Sequence, residues 1–226
     1  MMQDHEIKSE MITKMGQDLG SLFYHIYNET VWLTMKWVEY KELYGTKESR
    51  IDLMNKTAPL FFYIVEKTLW KDLMLGITRL TDPEKSMGKK NITLSAIVSH
   101  IQEPELKEDI EKDIALLKEK TSFCRDWRNR SIAHFDYELN VNQQTAAPLE
   151  SAHRKKLQEA INCIHGIIKK VYLHYLKSTV MFDFIDSYSG SKSLLIHVEN
   201  GLRFGELKRK GKLSGTWCDD NFESMV

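Results

Sequence analysis

The stretch TAPLFFYIVEKTLWKDLMLGITRLTDP, residues 57–83, carries the most regular apolar pattern in the chain. Phe61, Val65, Leu69, Leu73, Ile77 and Leu80 follow one another by steps of four, with a final step of three. That spacing gathers them on one face of a helix, whereas strand alternation would need steps of two. Thr57 is the expected N-cap, and Pro59 sits just inside, where a helix needs no backbone N–H. Asp82-Pro83 ends the pattern, because proline disfavours helical geometry in the residue before it.

An amphipathic helix of this length needs apolar partners, and its flanks carry them. Upstream, Met15, Leu19, Leu22, Ile26, Leu33, Trp37, Tyr40 and Tyr44 form one stripe. It predicts a helix from Ile7 to Tyr44, stopped by Gly45. Gly16 and Gly20 within it either bend the helix or admit close packing. A second segment starts near Glu48 and breaks before Pro59. Downstream, Glu84 to Asn91 reads as a loop centred on Met87-Gly88-Lys89-Lys90. Thr93 is placed to cap a short helix carrying Leu94, Ile97, Val98 and Ile101. Pro104 opens the next helix. Its stripe of Leu106, Ile110, Ile114, Leu117, Cys124 and Trp127 runs on to about Ala133.

A polar loop follows from Asn140 to Ala147. Ser151 is the expected cap of another long helix. There Leu157, Ile161, Ile164, Ile168, Val171 and Tyr175 alternate steps of four and three, a heptad-like seam. Ser187 to Ser193 reads as a turn, and Leu194, Leu195, Val198, Leu202 and Phe204 mark a last helix. The chain after Gly211 reads as loop or frayed end. The expected fold is all-α, a helical bundle with long antiparallel helices. Residues 1–180 are assigned to the bundle, and 181–226 to a helical extension and tail of the same domain.

Composition narrows the function. Lys plus Arg and Asp plus Glu are 32 each, so the formal net charge is zero, which disfavours a polybasic nucleic-acid binder. With 42% hydrophobic residues the chain can build a sizeable core. Only 4 Pro and 11 Gly argue against disorder and against a turn-rich all-β fold. No apolar run is long enough for a bilayer, and the polar N-terminal residues lack the core of a secretory signal. No membrane partner is therefore expected. Cys124, Cys163 and Cys218 are scattered and odd in number, which fits free thiols in a reducing cytoplasm. No Gly-rich phosphate loop, nucleophile elbow, HExxH or paired CxxC is present.

The unusual chemistry lies in Arg125-Asp126-Trp127-Arg128-Asn129-Arg130-Ser131-Ile132-Ala133-His134-Phe135-Asp136, where the apolar stripe ends. Arginine is permanently charged and its planar fork fits phosphate oxygens. Histidine moves protons near neutral pH. On an unbroken helix, residues six apart are rotated by roughly 120° and lie roughly 9 Å apart along the axis. Arg128 and His134 then share no face, whereas Arg130 and His134 do. Either the helix ends near Ile132 and His134 curls back, or the working arginine comes from a neighbouring chain. The plain alternative is that these cations decorate a helix C-terminus, where the dipole favours them.

The string from Arg128 to His134 resembles the HEPN motif, an arginine, a polar residue, a short spacer and a histidine. With Arg79-Leu80-Thr81-Asp82 and Asn91-Ile92-Thr93-Leu94 preceding it in order, the chain resembles the Abi-U-type abortive-infection branch of HEPN proteins. The resemblance spans about Trp32 to Asp136, extending toward Tyr175. It implies a bundle that dimerises with two motifs facing across the axis. It also implies an endoribonuclease that needs no metal and no cofactor, working in phage defence or as the toxin of a toxin–antitoxin pair. Its partners would be RNA, a second copy of the chain and an antitoxin protein. Carried over by position, Arg128 steadies charge on the phosphorus and His134 acts as general base or acid. Asn129 positions the loop or the phosphate, and Arg125 and Arg130 add phosphate contacts. Asp136 is placed to orient His134, a role the family motif does not itself require. Arg79 and Asp82, at the end of the preceding helix, either support the site from there or serve as a C-terminal cation and a turn-forming residue before Pro83. The same motif also occurs in members that bind nucleotide or RNA without cutting.

Other features carry less. Cys163 and His165, with His153 and His174 nearby, have the wrong spacing for a metal site and read as core or surface groups. Cys218-Asp219-Asp220 is likewise not expected to form a site. Arg203, Lys208, Arg209, Lys210 and Lys212 read as a solvated basic helix end, the alternative being an extension of an RNA-binding surface.

Overall fold

The computed structural model describes residues 4–134, 136–142 and 144–212. Helix α1 (Asp4–Met15) is separated from α2 (Gln17–Tyr44) by Gly16, so the long helix expected from Ile7 is two helices. Gly16 has φ +84°, a left-handed backbone that glycine adopts without steric cost. The chain reverses there. Lys8 lies over the Tyr24 ring, and the Cα atom of Ile12 faces Gly20, so α1 runs back along α2. A Cβ on Gly20 would sit 2.6 Å from the Ile12 Cα and the Met11 carbonyl oxygen. Gly16 thus makes the turn and Gly20 permits the close approach.

Helix α3 (Glu48–Thr57) leads into α4 (Pro59–Thr81). Thr57 is the last residue of α3, and Ala58 holds the cap position of α4. The Thr57 hydroxyl donates back to the Leu53 and Met54 carbonyls and so is not free to cap. Pro59 takes the first helical position as expected. Helices α2 and α4 are antiparallel: Tyr44 Oη donates to the Phe62 carbonyl, Lys36 pairs with Asp72 at 2.5 Å, and Glu29 pairs with Arg79.

The buried face of α4 differs from the expected one at its start. Phe61 is 57% exposed, and Phe62 is buried in its place. Phe62 joins Leu43, Met54 and Leu195 in a small apolar cluster beside the main core, which turns the first part of α4 toward α3. From Leu73 the expected stripe holds, with Ile77 and Leu80 almost fully buried.

After α4 the chain forms a two-stranded antiparallel hairpin, β1 (Lys85–Ser86) and β2 (Lys89–Lys90), where only loop was expected. Helix α5 (Leu94–Val98) follows Thr93, whose hydroxyl makes no cap bond. Helix α6 (Pro104–Lys120) stops at Thr121, before the expected end at Ala133. The Thr121 hydroxyl bonds the Leu117 carbonyl at 2.8 Å. Helix α7 (Ser122–Trp127) resumes the stripe with Phe123 and Cys124 buried. A π-helical turn, Arg128–Ile132, completes it.

The short α8 (Tyr137–Val141) precedes and enters the polar loop. Helix α9 (Arg154–Leu176) begins with His153 as N-cap, its ring nitrogen accepting from Lys156 N at 3.4 Å. The expected cap, Ser151, lies upstream of that boundary. Leu157, Ile161, Ile164, Ile168 and Val171 of α9 are all fully buried, as the seam predicts. Helix α10 (Ser191–Arg209) starts inside the expected turn. The main core joins α1, α2, α4, α5, α6, α7 and α9, with Trp37 and Tyr40 stacked inside it. The fold is all-α apart from the hairpin. Among the described residues no helix is long and apolar enough to cross a membrane.

Candidate active site

The site forms where the C-terminus of α4 meets α7 and the π turn. A π turn hydrogen-bonds five residues apart, and the Ala133 N–H bonds the Arg128 carbonyl at 2.8 Å. Such turns widen a helix locally and often mark functional positions. Helical structure ends at Ile132, as the first of the two arrangements requires, but among the described residues His134 does not curl back onto Arg128.

Arg128 is held by Asp82. Its Nη1 donates to both carboxylate oxygens, at 2.7 and 2.9 Å, and its Nε donates to Asn129 Oδ1 at 3.0 Å. No acceptor among the described residues engages its Nη2. Both partners of the ion pair are mostly shielded, with side-chain exposures of 28% and 23%. Arg125 reaches the same place. Its Nη2 donates to the Thr81 carbonyl at 3.1 Å and lies 3.7 Å from Asp82 Oδ1. Arg125 thus places a cation on the last carbonyl of a neighbouring helix, α4, rather than on the end of its own.

Arg130 points elsewhere. Its Nη2 donates to the Ala147 carbonyl at 2.6 Å, and its Nη1 and Nε face Asp126 at 3.4 Å and Asp136 at 3.6 Å. It ties the loop after α8 to α7. Asp136 also accepts from the Leu139 N–H at 3.0 Å and so caps α8. His134 is exposed, and no hydrogen bond or ion pair joins it to Asp136, Arg128 or Arg130 among the described residues. Arg79 stays one turn away, paired with Glu29 of α2 and 55% exposed. The structure therefore brings Arg125, Arg128 and Asn129 together around Asp82, and separates Arg79, Arg130, Asp136 and His134 from that cluster.

Asp126 had no assigned role in the sequence. It accepts from Arg130 and, through Oδ2, from the Glu150 N–H at 2.8 Å. Its four-residue spacing from Arg130 was the available signal. With it the local charge closes: Arg125, Arg128 and Arg130 face Asp82, Asp126 and Asp136. Such a cluster orients a guanidinium rather than attracting polyanions from afar.

A family model described as AbiU2, of the HEPN group, matches residues 16–193. The chain belongs to this HEPN family. The match is wider than the motif resemblance and takes in α2 through the start of α10. No curated protein matches the chain, and no solved structure does.

The minor candidates separate. Cys163 is half-buried beside the core. His165 stacks on Phe182 with 3.9 Å between ring centroids and shares a 2.7 Å hydrogen bond with Thr34. Burial, helped by the Lys169 charge, lowers its pKa to about 4. His174 lies 3.6 Å from Glu103. Cys218, Asp219 and Asp220 lie outside the described residues.

Proposed function

We propose that the chain is a metal-independent endoribonuclease of the HEPN kind, acting in abortive infection or as the toxin of a toxin–antitoxin pair. In this reading the RNA 2′-oxygen attacks the adjacent phosphorus. Its proton passes to a base, the bond from phosphorus to the 5′-oxygen breaks, and that leaving oxygen takes a proton from an acid. The products are a 2′,3′-cyclic phosphate and a 5′-hydroxyl. Arg128 steadies the charge that gathers on the phosphoryl oxygens. His134 carries the proton. Arg125 and Asn129 help to hold the phosphate, and two copies of the chain in a cytoplasmic homodimer supply a base and an acid.

The observation that supports this reading is the Arg128 guanidinium fixed on Asp82 at the start of a π turn, with Nη2 unengaged among the described residues. Arg130, by contrast, is bonded to Ala147 and faces two carboxylates. This favours Arg128 as the working arginine. A second reading is a dimeric module that binds RNA or nucleotide without cutting. It is favoured by the absence of an orienting partner on His134 among the described residues.

RNA cleavage in EDTA by wild type, Arg128→Ala and His134→Ala, with end-group analysis, tests both. Cyclic-phosphate ends that vanish in both variants support the nuclease. No cleavage, with binding lost only in Arg128→Ala, supports the binding module.

A further inference from the structure

The hairpin β1–β2 has a composition that the fold does not require. Lys85, Lys89 and Lys90 are exposed, and none has a carboxylate within ion-pairing distance among the described residues. Its register sets Lys85 opposite Lys90 and Ser86 opposite Lys89. Like charges directly opposed weaken a ladder, and a two-stranded hairpin is marginal by itself.

The turn is equally unusual. Met87 (φ +49°) and Gly88 (φ +79°) both occupy the left-handed region, the pattern of a type I′ turn. Glycine suits that region, but the first position ordinarily takes Asn, Asp or Gly. Met87 is instead 99% exposed, an apolar side chain that packs on nothing.

The hairpin is nonetheless anchored. The Asn91 N–H donates to the Glu84 carbonyl at 2.7 Å, and its side-chain amide donates to the Pro83 carbonyl at 2.9 Å. Lys85 follows three residues after Asp82, the residue that holds Arg128, so their Cα atoms are at most about 11 Å apart. The arginines of the site are balanced by carboxylates. Cations without a carboxylate partner beside it supply an attraction for a polyanion that the balanced arginines lack.

We propose that this hairpin grips the RNA strand at the Arg128 site, with Lys85, Lys89 and Lys90 on phosphates and Met87 against an unstacked base. The proposal rests on the RNA reading above. Lysines give backbone contacts without sequence preference, and an apolar tip gives a contact that salt does not screen.

The test is fluorescence anisotropy with a labelled single-stranded RNA over a range of salt, in the full chain carrying His134→Ala to prevent cutting. Each lost phosphate contact lowers the log–log salt slope by about 0.7. Lys85→Gln/Lys89→Gln/Lys90→Gln should therefore lower it by about 2 and weaken binding by about tenfold or more at low salt. Met87→Asn suits the turn better and should keep the melting temperature, yet weaken binding severalfold with the slope unchanged. Lys47→Gln/Lys56→Gln is the control, at the far end of α4, on the order of 34 Å away.

An unchanged slope in the triple variant, with affinity still lost in Arg128→Ala, overturns the hairpin's role and leaves the RNA reading standing. Equal losses in the control variant reduce the effect to bulk charge and overturn it too. Unchanged affinity in Met87→Asn removes the base contact. If the starting protein binds no RNA, the RNA reading falls and the hairpin proposal with it.

Discussion

Replacing Asp82 tests whether the carboxylate that caps the end of α4 positions the working arginine. Asp82 receives two hydrogen bonds from Arg128 Nη1, at 2.7 and 2.9 Å, and lies 3.7 Å from Arg125. A hydrogen bond to a charged group contributes about 1.5–3 kcal/mol. The pair is not fully shielded, with side chains 28% and 23% exposed, so solvent screening reduces this toward about 1 kcal/mol. For a chain of this size that corresponds to a melting-point drop of roughly 2–4 °C for Asp82→Ala. The functional effect should be larger. A displacement of a positioning group by about 1 Å costs up to ~100-fold in rate, so Asp82→Ala should slow RNA cleavage by about 10–100-fold. The decisive measurement is the double variant in a single-turnover cleavage assay. If Asp82 works through Arg128, then Asp82→Ala adds nothing to Arg128→Ala. Fully additive losses, or undiminished cleavage by Asp82→Ala, would refute the positioning role. Tighter RNA binding with undiminished cleavage would instead mark Asp82 as a mere counter-charge.

Gly20→Ala should destabilise the fold by about 1–3 kcal/mol, because its Cβ would lie 2.6 Å from the α1 backbone, whereas Gly166→Ala on α9, with nothing within 4 Å, should be neutral or stabilising; denaturant melts of both variants check this. Burial, helped by the Lys169 charge, lowers the folded His165 pKa to about 4 from the usual 6.5, so the unfolded chain binds the extra proton first as the pH falls. Its contribution to stability is complete above about pH 6.5 and is lost as the pH falls toward 4, and His165→Gln should flatten the melting curve against pH in that window. The Cys124 thiol, fully buried and pushed up to about 12 mainly by burial, should resist alkylation in the folded protein and react once denaturant is added, as peptide mass spectrometry would read.

What was legible in the sequence follows from what periodicity encodes. A repeat of three and four reports which face of a helix is buried, so the α9 seam and the later half of the α4 stripe were readable. It does not report where a helix breaks when the apolar steps continue through the break. Gly16 and Thr121 interrupt two helices whose stripes run on unbroken, one through a left-handed glycine and the other through a hydroxyl bonded to the preceding turn. Phe61 and Phe62 differ in burial because a neighbouring cluster selects one of two adjacent aromatics, a tertiary choice that single-helix arithmetic does not contain. The motif residues were legible as types, but their partners were not. Asp82 and Arg128 are 46 positions apart, and only the packing of α4 against α7 makes them a pair.

That pairing also bears on how the proposed nuclease divides its labour. Each cation of the motif meets a carboxylate, so the cluster has little net charge with which to draw RNA from solution. It does have orientation, because Arg128 is bonded through Nη1 and Nε while Nη2 stays unengaged among the described residues. An oriented donor in a neutral setting suits stabilisation of charge that appears only as the phosphorus is attacked. Ground-state affinity then has to come from cations outside the cluster, which is the part assigned here to the lysine hairpin. The same reasoning accounts for the isolation of His134. Cleavage by 2′-oxygen attack asks for one group to accept a proton and another to donate one, and a single chain presents one histidine in the motif. A second copy across an axis supplies the other, so in this reading the pairing that completes the chemistry lies between chains, beyond what any contact within one chain provides.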